Sequence, residues 1–556
     1  MSAYLFLLCV EPLAQAIRDN ENITGIQRND LEHKLNQFAD DTLIFTNGSE
    51  LSMNSVLSML KEFAKCSGLK INYEKSTAYK IGSLVNQDIG YELNENIQWS
   101  ADPIITLGVI IPITQRGKIY EYNYKPRLEK INAIFKQWAK RKLSIQGKVC
   151  IIKTLAISQL VYLSSVLPTP PPKYAYEKQI EKLIFRFLWN EKPDKIKRRV
   201  LYNTKENGGL NIPNFKMMNI AAKVTWVKRY LDSSEDKIWK VLVDIGLNKY
   251  GRGFLFYCNI SPGDRLIGTI KSTIVRDWVT SWCKYNFNET PQDNEIAKQI
   301  FCYNSLFNNK RIVHHRTLIE NSIIYVGQLR NEQQHRLMQY NEFIDKYNVN
   351  ITFVEYYGII SKIPRTWQNT IEIQEYTNET PPRVLWNRTM EELQSSKLKI
   401  YKHVYLKLMK EYCKSPDKSQ IWWANELQIP RDEIRWKTMY TDIYKITNHC
   451  KLRDFHFKWL HNIVVVNDKL CKWNLVESSL CDFCNSVPDS IIHRFWLCTQ
   501  TQKIWSELCQ YVNRELHIQW QPNYNSFKFV GRLFSNDEMH CFMHQIFYIS
   551  VFYSQT

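Results

Sequence analysis

The feature that most limits what this chain can build is Leu35-Asn36-Gln37-Phe38-Ala39-Asp40-Asp41-Thr42-Leu43-Ile44-Phe45, where two adjacent carboxylates stand between apolar flanks. Leu, Ile and Phe suit half-buried strands and Asp tolerates turn geometry. The pattern therefore predicts a β-hairpin with the acids at its tight turn. Carboxylates at a rigid turn offer the hard oxygen ligands that Mg²⁺ takes, and this ion needs only one or two of them when phosphates complete its shell. Two such ions, roughly 3.5–4 Å apart, polarise an attacking 3′-hydroxyl and stabilise a leaving pyrophosphate. Taken alone, an Asp-Asp pair in a turn is more often just solvated, and the rest of the chain has to decide.

The excess charge bears on that decision. Lys and Arg number 73 against 55 Asp and Glu, a net of +18, and residues 111–200 alone hold 20 against 6, a net of +14. A solvated helix face would intersperse the signs, whereas this clustering points to a polyanionic partner. With 556 residues, 44% of them apolar, the chain has room for three or four packed domains and is not disordered. Fourteen cysteines are scattered except for a group at Cys481, Cys484 and Cys498. Residues 1–10 are apolar and Ala14-Gln15-Ala16 imitates a processing site, but no basic segment precedes them and Glu11-Pro12 interrupts the run. The expectation is an intracellular protein with free thiols and one metal site, with no apolar run of spanning length. Tyr4 to Ile17 is expected to be an amphipathic core helix, and a chain starting inside such an element looks truncated.

Next in order, Leu51, Val56, Leu57, Leu60 and Phe63 recur near helical spacing and Gly68 is a natural stop. Gly68 to Ser76 reads as strand-like and carries Lys70 and Lys75, either surface lysines or cations able to meet a triphosphate. Ile104 to Ile110 reads as a short apolar strand in which Gly108 marks a bend or a close backbone approach.

Phe38-Ala39-Asp40-Asp41, then Ser67-Gly68-Leu69-Lys70-Ile71-Asn72 with Lys75-Ser76, then Leu107-Gly108, resemble the later palm motifs of non-LTR (LINE-type) retrotransposon reverse transcriptases. The stretches Met1-Ser2-Ala3-Tyr4-Leu5-Phe6 and Glu11-Pro12-Leu13 are similar to the end of the preceding motif and its palm helix. The resemblance implies that Asp40 and Asp41 bind catalytic Mg²⁺. It also implies that Lys70 and Lys75 support the incoming nucleotide and that Leu107 and Gly108 grip the primer end. The family has another essential aspartate and a glycine-bearing motif on earlier palm elements, which the resemblance would put upstream of Met1. An incomplete two-metal site is therefore expected.

The basic block follows. Leu128, Ile131, Phe135 and Trp138 suggest one helix and Val149, Ile152, Ala156 and Leu160 a second. After prolines 168 and 170–172, Tyr176, Ile180, Leu183, Ile184 and Phe187 suggest a third. Basic outer faces on three helices resemble a polymerase thumb. Lys140, Arg141, Lys142 and Lys148 are the candidates for phosphate contact, while Phe135, Trp138 and Trp189 are expected in the core. Residues 232–429 show aromatic-rich packing and no motif.

The second constellation is Cys481-x2-Cys484, then His493 and Cys498. Two thiolates on a tight turn, with His and Cys from a following helix, make four ligands for a closed tetrahedral Zn²⁺ site of structural type. The competing reading is buried, unlinked cysteines. The region from Leu452 to His461, with Cys471 to Trp473, resembles what precedes the C-terminal zinc-binding segment of LINE-type proteins. In it, His456 and His461 are expected to pack or face solvent rather than to ligate.

The expected architecture is α+β. Residues 1–115 would form a partial palm, a short antiparallel sheet with helices, and 116–230 a helical thumb. Residues 231–430 would be a helical connector and 431–556 a C-terminal domain with the zinc site. The resemblance implies RNA-directed DNA synthesis by the intact family, with RNA template and DNA primer or target as partners. It places the protein in a nuclear or cytoplasmic ribonucleoprotein. The alternative is a non-enzymatic nucleic-acid-binding relic that keeps thumb and zinc module.

Overall fold

A computed structural model describes residues 2–28, 31–88, 97–100, 103–114, 116–232, 237–307, 315–373 and 387–517, together with 385, 519 and 521. Prolines 381 and 382, read as a helix break, lie outside these residues, as does Met1. The protein is α+β: mostly helical, with short two-stranded ladders among the described residues. The chain divides into two compact units. One comprises residues 1–128, 163–171 and 219–404, the other residues 129–162, 172–218 and 405–556.

In the first unit, helix α1 (Ser2–Asp19) is followed by an antiparallel pair, β1 (Ile26–Arg28) and β2 (Leu31–His33). The predicted hairpin then forms from β3 (Leu35–Phe38) and β4 (Asp41–Ile44), with Leu35 opposite Ile44 and Phe38 opposite Asp41. Helix α2 (Glu50–Ser67) begins at Ser49, whose side chain accepts the Ser52 N–H, and ends at Gly68 in the left-handed region. These elements share one core of Leu13, Ala14, Ile17, Ile23, Leu35 and Val56. Only the second half of α1 is buried there; Tyr4, Leu5, Leu7 and Leu8 are exposed.

A parallel pair, β5 (Thr77–Tyr79) and β6 (Gln98–Ser100), precedes a second hairpin, β7 (Ile104–Thr106) and β8 (Val109–Ile111). Residues 104–110 are thus not one strand. Leu107 and Gly108 both take positive φ, 47° and 73°, and reverse the chain. Nor does the strand-like reading of residues 68–76 hold. Asn72 caps a single 3-10 turn at Tyr73–Lys75, and local hydrogen bonding replaces a ladder.

The three helices of the basic block form as the periodicity implies: α3 (Lys125–Ala139), α4 (Ile145–Val166) and α5 (Tyr176–Leu188). Helix α4 carries a π-type turn at Ile152–Ile157. It is also long and apolar enough to cross a bilayer by length and composition, contrary to the expectation of no such run. Gln146, Lys148, Lys153 and Gln159 interrupt the apolar positions and hide the length. Val149, Ile152, Ala156, Leu160 and Leu163 are all buried in protein, as in a core helix.

Further along, α6 (Phe215–Leu231) and α7 (Thr273–Asn286) pack in the first unit around a buried polar network. Asp277 accepts from the Thr169 N–H and hydroxyl at 2.8 and 3.0 Å and pairs with buried Lys223 at 3.5 Å. In the second unit, α8 (Trp436–Ile446), α9 (Cys450–Leu460) and α10 (Thr499–Leu516) enclose a core built on Trp423, Phe455, Trp459, Phe495 and Trp505. No disulfide joins the described cysteines.

Candidate functional site

The acid pair sits where hairpin chemistry puts it. Ala39 and Asp40 are the two turn residues between paired Phe38 and Asp41, and Ala39 is held at φ 53°. Two-residue turns with positive φ at the first position match the strand twist, usually with glycine there. The base of the hairpin is tied down: the Phe45 N–H donates to Lys34 O at 2.8 Å. Lys34 Nζ donates to Arg18 O and Asn20 O, both at 2.9 Å, at the end of α1. Both carboxylates are exposed. No side chain bonds to either of them among the described residues. Two adjacent, uncommitted carboxylates on a rigid turn fit a hard divalent cation.

The other expected members of that site lie on separate elements of the same unit. Lys70 and Lys75 are exposed, before and within the 3-10 turn. Leu107 and Gly108 are the turn of the β7–β8 hairpin. Buried Asn123 clamps that hairpin: it accepts the Ile110 N–H at 2.9 Å and donates to Ile110 O at 2.7 Å. No hydrogen bond or ion pair joins these residues to the acid pair among the described residues.

In the basic block, Lys140, Arg141 and Lys142 are exposed, with the Arg141 guanidinium 4.4 Å from the Trp138 ring centroid. Lys148 differs from the expectation. It is buried, donates to Leu188 O at 3.1 Å and to Asn190 Oδ1, and lies over the Phe187 ring. Burial lowers its pKa. Its ammonium serves the end of α5, so it is not a surface phosphate contact. Phe135 and Trp189 are buried as expected, Phe135 stacked on Phe187 at 4.5 Å.

The Cys/His constellation is brought together fully. Ligand atoms of Cys481, Cys484, His493 and Cys498 all lie within 4.8 Å of one another. Cys481 Sγ and Cys498 Sγ are 4.0 Å apart, and Cys484 Sγ is 3.2 Å from His493 Nε2. A tetrahedron with Zn–S near 2.3 Å and Zn–N near 2.0 Å has edges of roughly 3.5–3.8 Å, so the four donors fit one such ion. The turn that presents the first pair is closed by the Cys481 N–H to Val487 O at 2.9 Å and the Asn485 N–H to Cys481 O at 2.8 Å. His493 opens a π-type turn, and Cys498, at the N-terminus of α10, donates its N–H back to His493 O at 2.8 Å. Burial pushes the Cys481 thiol up to about 11, while the Ser486 backbone N–H and then His493 hold Cys484 down at about 6.

A second layer, not singled out in the sequence, braces this site. Buried Asp489 accepts the Asn467 N–H at 2.7 Å and Arg494 Nε at 2.8 Å. Arg494 also reaches Asp482, at 3.2 Å, inside the Cys481–Cys484 turn. Such groups fix ligand orientation. The spacing of Asp489 and Arg494 around His493 was a readable signal. His456 and His461 are not ligands: both are buried in the second unit, and His461 Nε2 donates to Gly208 O at 2.7 Å.

Residues 1–111 of the 556 match the family model described as "Reverse transcriptase (RNA-dependent DNA polymerase)". The matched segment includes both hairpins and the exposed lysines between them, so this part of the chain is similar to a family that binds template and primer and generally uses Mg²⁺.

Proposed function

We propose that this chain carries the later half of the active site of a non-LTR retrotransposon reverse transcriptase, with its thumb and a C-terminal zinc module. The observation that carries the reading is the rigid acid-turn hairpin within the segment similar to reverse transcriptases. Asp40 and Asp41 hold Mg²⁺, which supplies charge neutralisation at the attacking 3′-hydroxyl and the leaving pyrophosphate. Lys70 and Lys75 meet the nucleotide phosphates, Leu107 and Gly108 the primer end, and Lys140, Arg141 and Lys142 the nucleic-acid backbone. The Cys481, Cys484, His493 and Cys498 cluster holds Zn²⁺ in a closed, structural site, since four protein donors leave no open position.

Catalysis by two metals requires fixed geometry among all their ligands. Asp40 and Asp41 are the part of that ligand set on which the reading rests. The test replaces Mg²⁺ with Fe²⁺ and maps hydroxyl-radical cleavage of the backbone. Cleavage at residues 38–42, competed by Mg²⁺ and lost in Asp40→Ala and Asp41→Ala, supports the acid pair as a metal holder; cleavage elsewhere, or none, overturns it. Mg²⁺-dependent primer extension that Asp40→Ala abolishes would extend the reading from metal holding to catalysis.

A further inference from the structure

The second unit also gathers cations from three distant segments around one tyrosine. Tyr444 lies near the end of α8. Lys205 Nζ is 4.0 Å from its ring centroid, and the Arg453 guanidinium carbon, on α9, is 5.0 Å from it. The Tyr444 hydroxyl accepts from Gln146 Nε2 at 2.9 Å, which brings the first turn of α4 to the same place. Lys153, seven residues beyond Gln146, lies on that face of α4. The junction is fixed from beneath by buried Asp454, which accepts the Ile145 N–H at 2.8 Å. Lys140, Arg141 and Lys142 stand immediately before Ser144, the capping residue of α4.

These charges are positioned but not neutralised. No carboxylate oxygen lies within 4.0 Å of a cationic nitrogen of Lys153, Lys205 or Arg453 among the described residues. The neighbouring acids are engaged elsewhere: Glu206 with Lys437 at 3.0 Å, Asp454 with Lys458 at 3.4 Å. Arg453 spends its N–H groups on neutral acceptors, Thr447 O at 2.6 Å, Tyr444 O at 3.0 Å and Asn448 Oδ1 at 2.9 Å. Burial, then the charges of Arg453 and Lys153, lower the Lys205 pKa. A cluster of like charges held together without counter-ions costs repulsion that an anionic ligand removes.

We propose that Lys153, Lys205 and Arg453, organised by Tyr444, seat the phosphate backbone of a nucleic acid, extending the Lys140-Arg141-Lys142 run into one surface. Three cations on separate elements suit successive phosphodiesters along a strand better than one compact phosphate group. This surface goes beyond the acid-pair reading and does not need it.

The test measures binding of a labelled RNA strand and a DNA duplex, each of about 20 nucleotides or base pairs, by anisotropy over roughly 50–300 mM KCl. No divalent cation or deoxynucleotide is added, so the result is independent of polymerase chemistry. Lys153→Gln with Lys205→Gln should weaken binding about tenfold or more and reduce the salt slope by roughly 1.4–1.8, since each phosphate contact contributes about 0.7–0.9. Arg453 is left intact because its guanidinium also caps α8, and an unchanged melting temperature confirms that the double variant folds. Lys205→Arg should retain binding, and Lys410→Gln, an exposed lysine on another helix of this unit, should change neither quantity. An unchanged slope and affinity in the double variant overturns the proposal. So does an equal loss in Lys410→Gln, or displacement of the RNA by millimolar inorganic phosphate alone.

Discussion

Ala39 holds a conformation that L-residues avoid, at φ 53°, directly before the acid pair. The left-handed region costs a residue with a Cβ about 1–2 kcal/mol, and the turn persists because strand pairing on both sides determines it. A β-branched side chain fits that region worse still. Ala39→Val is therefore expected to destabilise the hairpin by ~1 kcal/mol, read as faster amide exchange across Leu35–Ile44, whereas Ala39→Gly should not. His461 makes a prediction of a different kind. Burial depresses its pKa from 6.5 to about 4, although the bond to Gly208 O opposes the shift. The unfolded chain then takes up the proton first as pH falls. The stability from the neutral ring is complete above about pH 6.5 and is lost progressively between there and about pH 4, up to roughly 3 kcal/mol. Labelled-histidine NMR should show the His461 ring unprotonated at pH 5.5; titration near 6.5 would mean that the ring is not buried as described.

At the scale of elements, what could be read in advance was what local pattern dictates. Apolar spacing gave α2, α3, α4 and α5, because a helix buries one face against any neighbour. The Cys-x2-Cys turn with a following His and Cys was legible because metal ligation imposes its own spacing. Lys148 was not legible. A lysine among other basic residues reads as surface, and only the carbonyl of Leu188, brought by another helix, turns it inward. At Leu107-Gly108 the glycine marked a bend, but the apolar residues on both sides read as one strand, and the full reversal comes from positive φ at both residues. The metal element carries its own prediction. With Cys481→Ser and Cys484→Ser, the protein should lose about one zinc per chain by metal analysis, because the remaining His493 and Cys498 cannot hold the ion alone. Retention of zinc in that double variant would place the metal elsewhere.

At the scale of the whole molecule, the two units each have a core of their own, one on α1, β3 and α2, the other on α8, α9 and α10. The basic residues that looked contiguous in sequence are divided between them, and cations far apart in sequence meet instead, as Lys205 and Arg453 do around Tyr444. No local pattern encodes such a meeting, because it depends on long-range packing such as the bond from Ile145 to Asp454. Separate cores also mean that damage to one should stay there. Phe495 links the metal turn directly to the second core, lying 5.3 Å from Trp459 and accepting the Trp505 indole N–H at 3.0 Å. Removing the ligands should therefore loosen α9 and α10 while leaving α1 and α2 untouched. Hydrogen exchange of the wild type and the Cys481→Ser, Cys484→Ser variant checks this peptide by peptide. Protection should fall over residues 450–516 and stay constant over residues 10–63. A fall shared by both segments would mean that the cores unfold as one cooperative body.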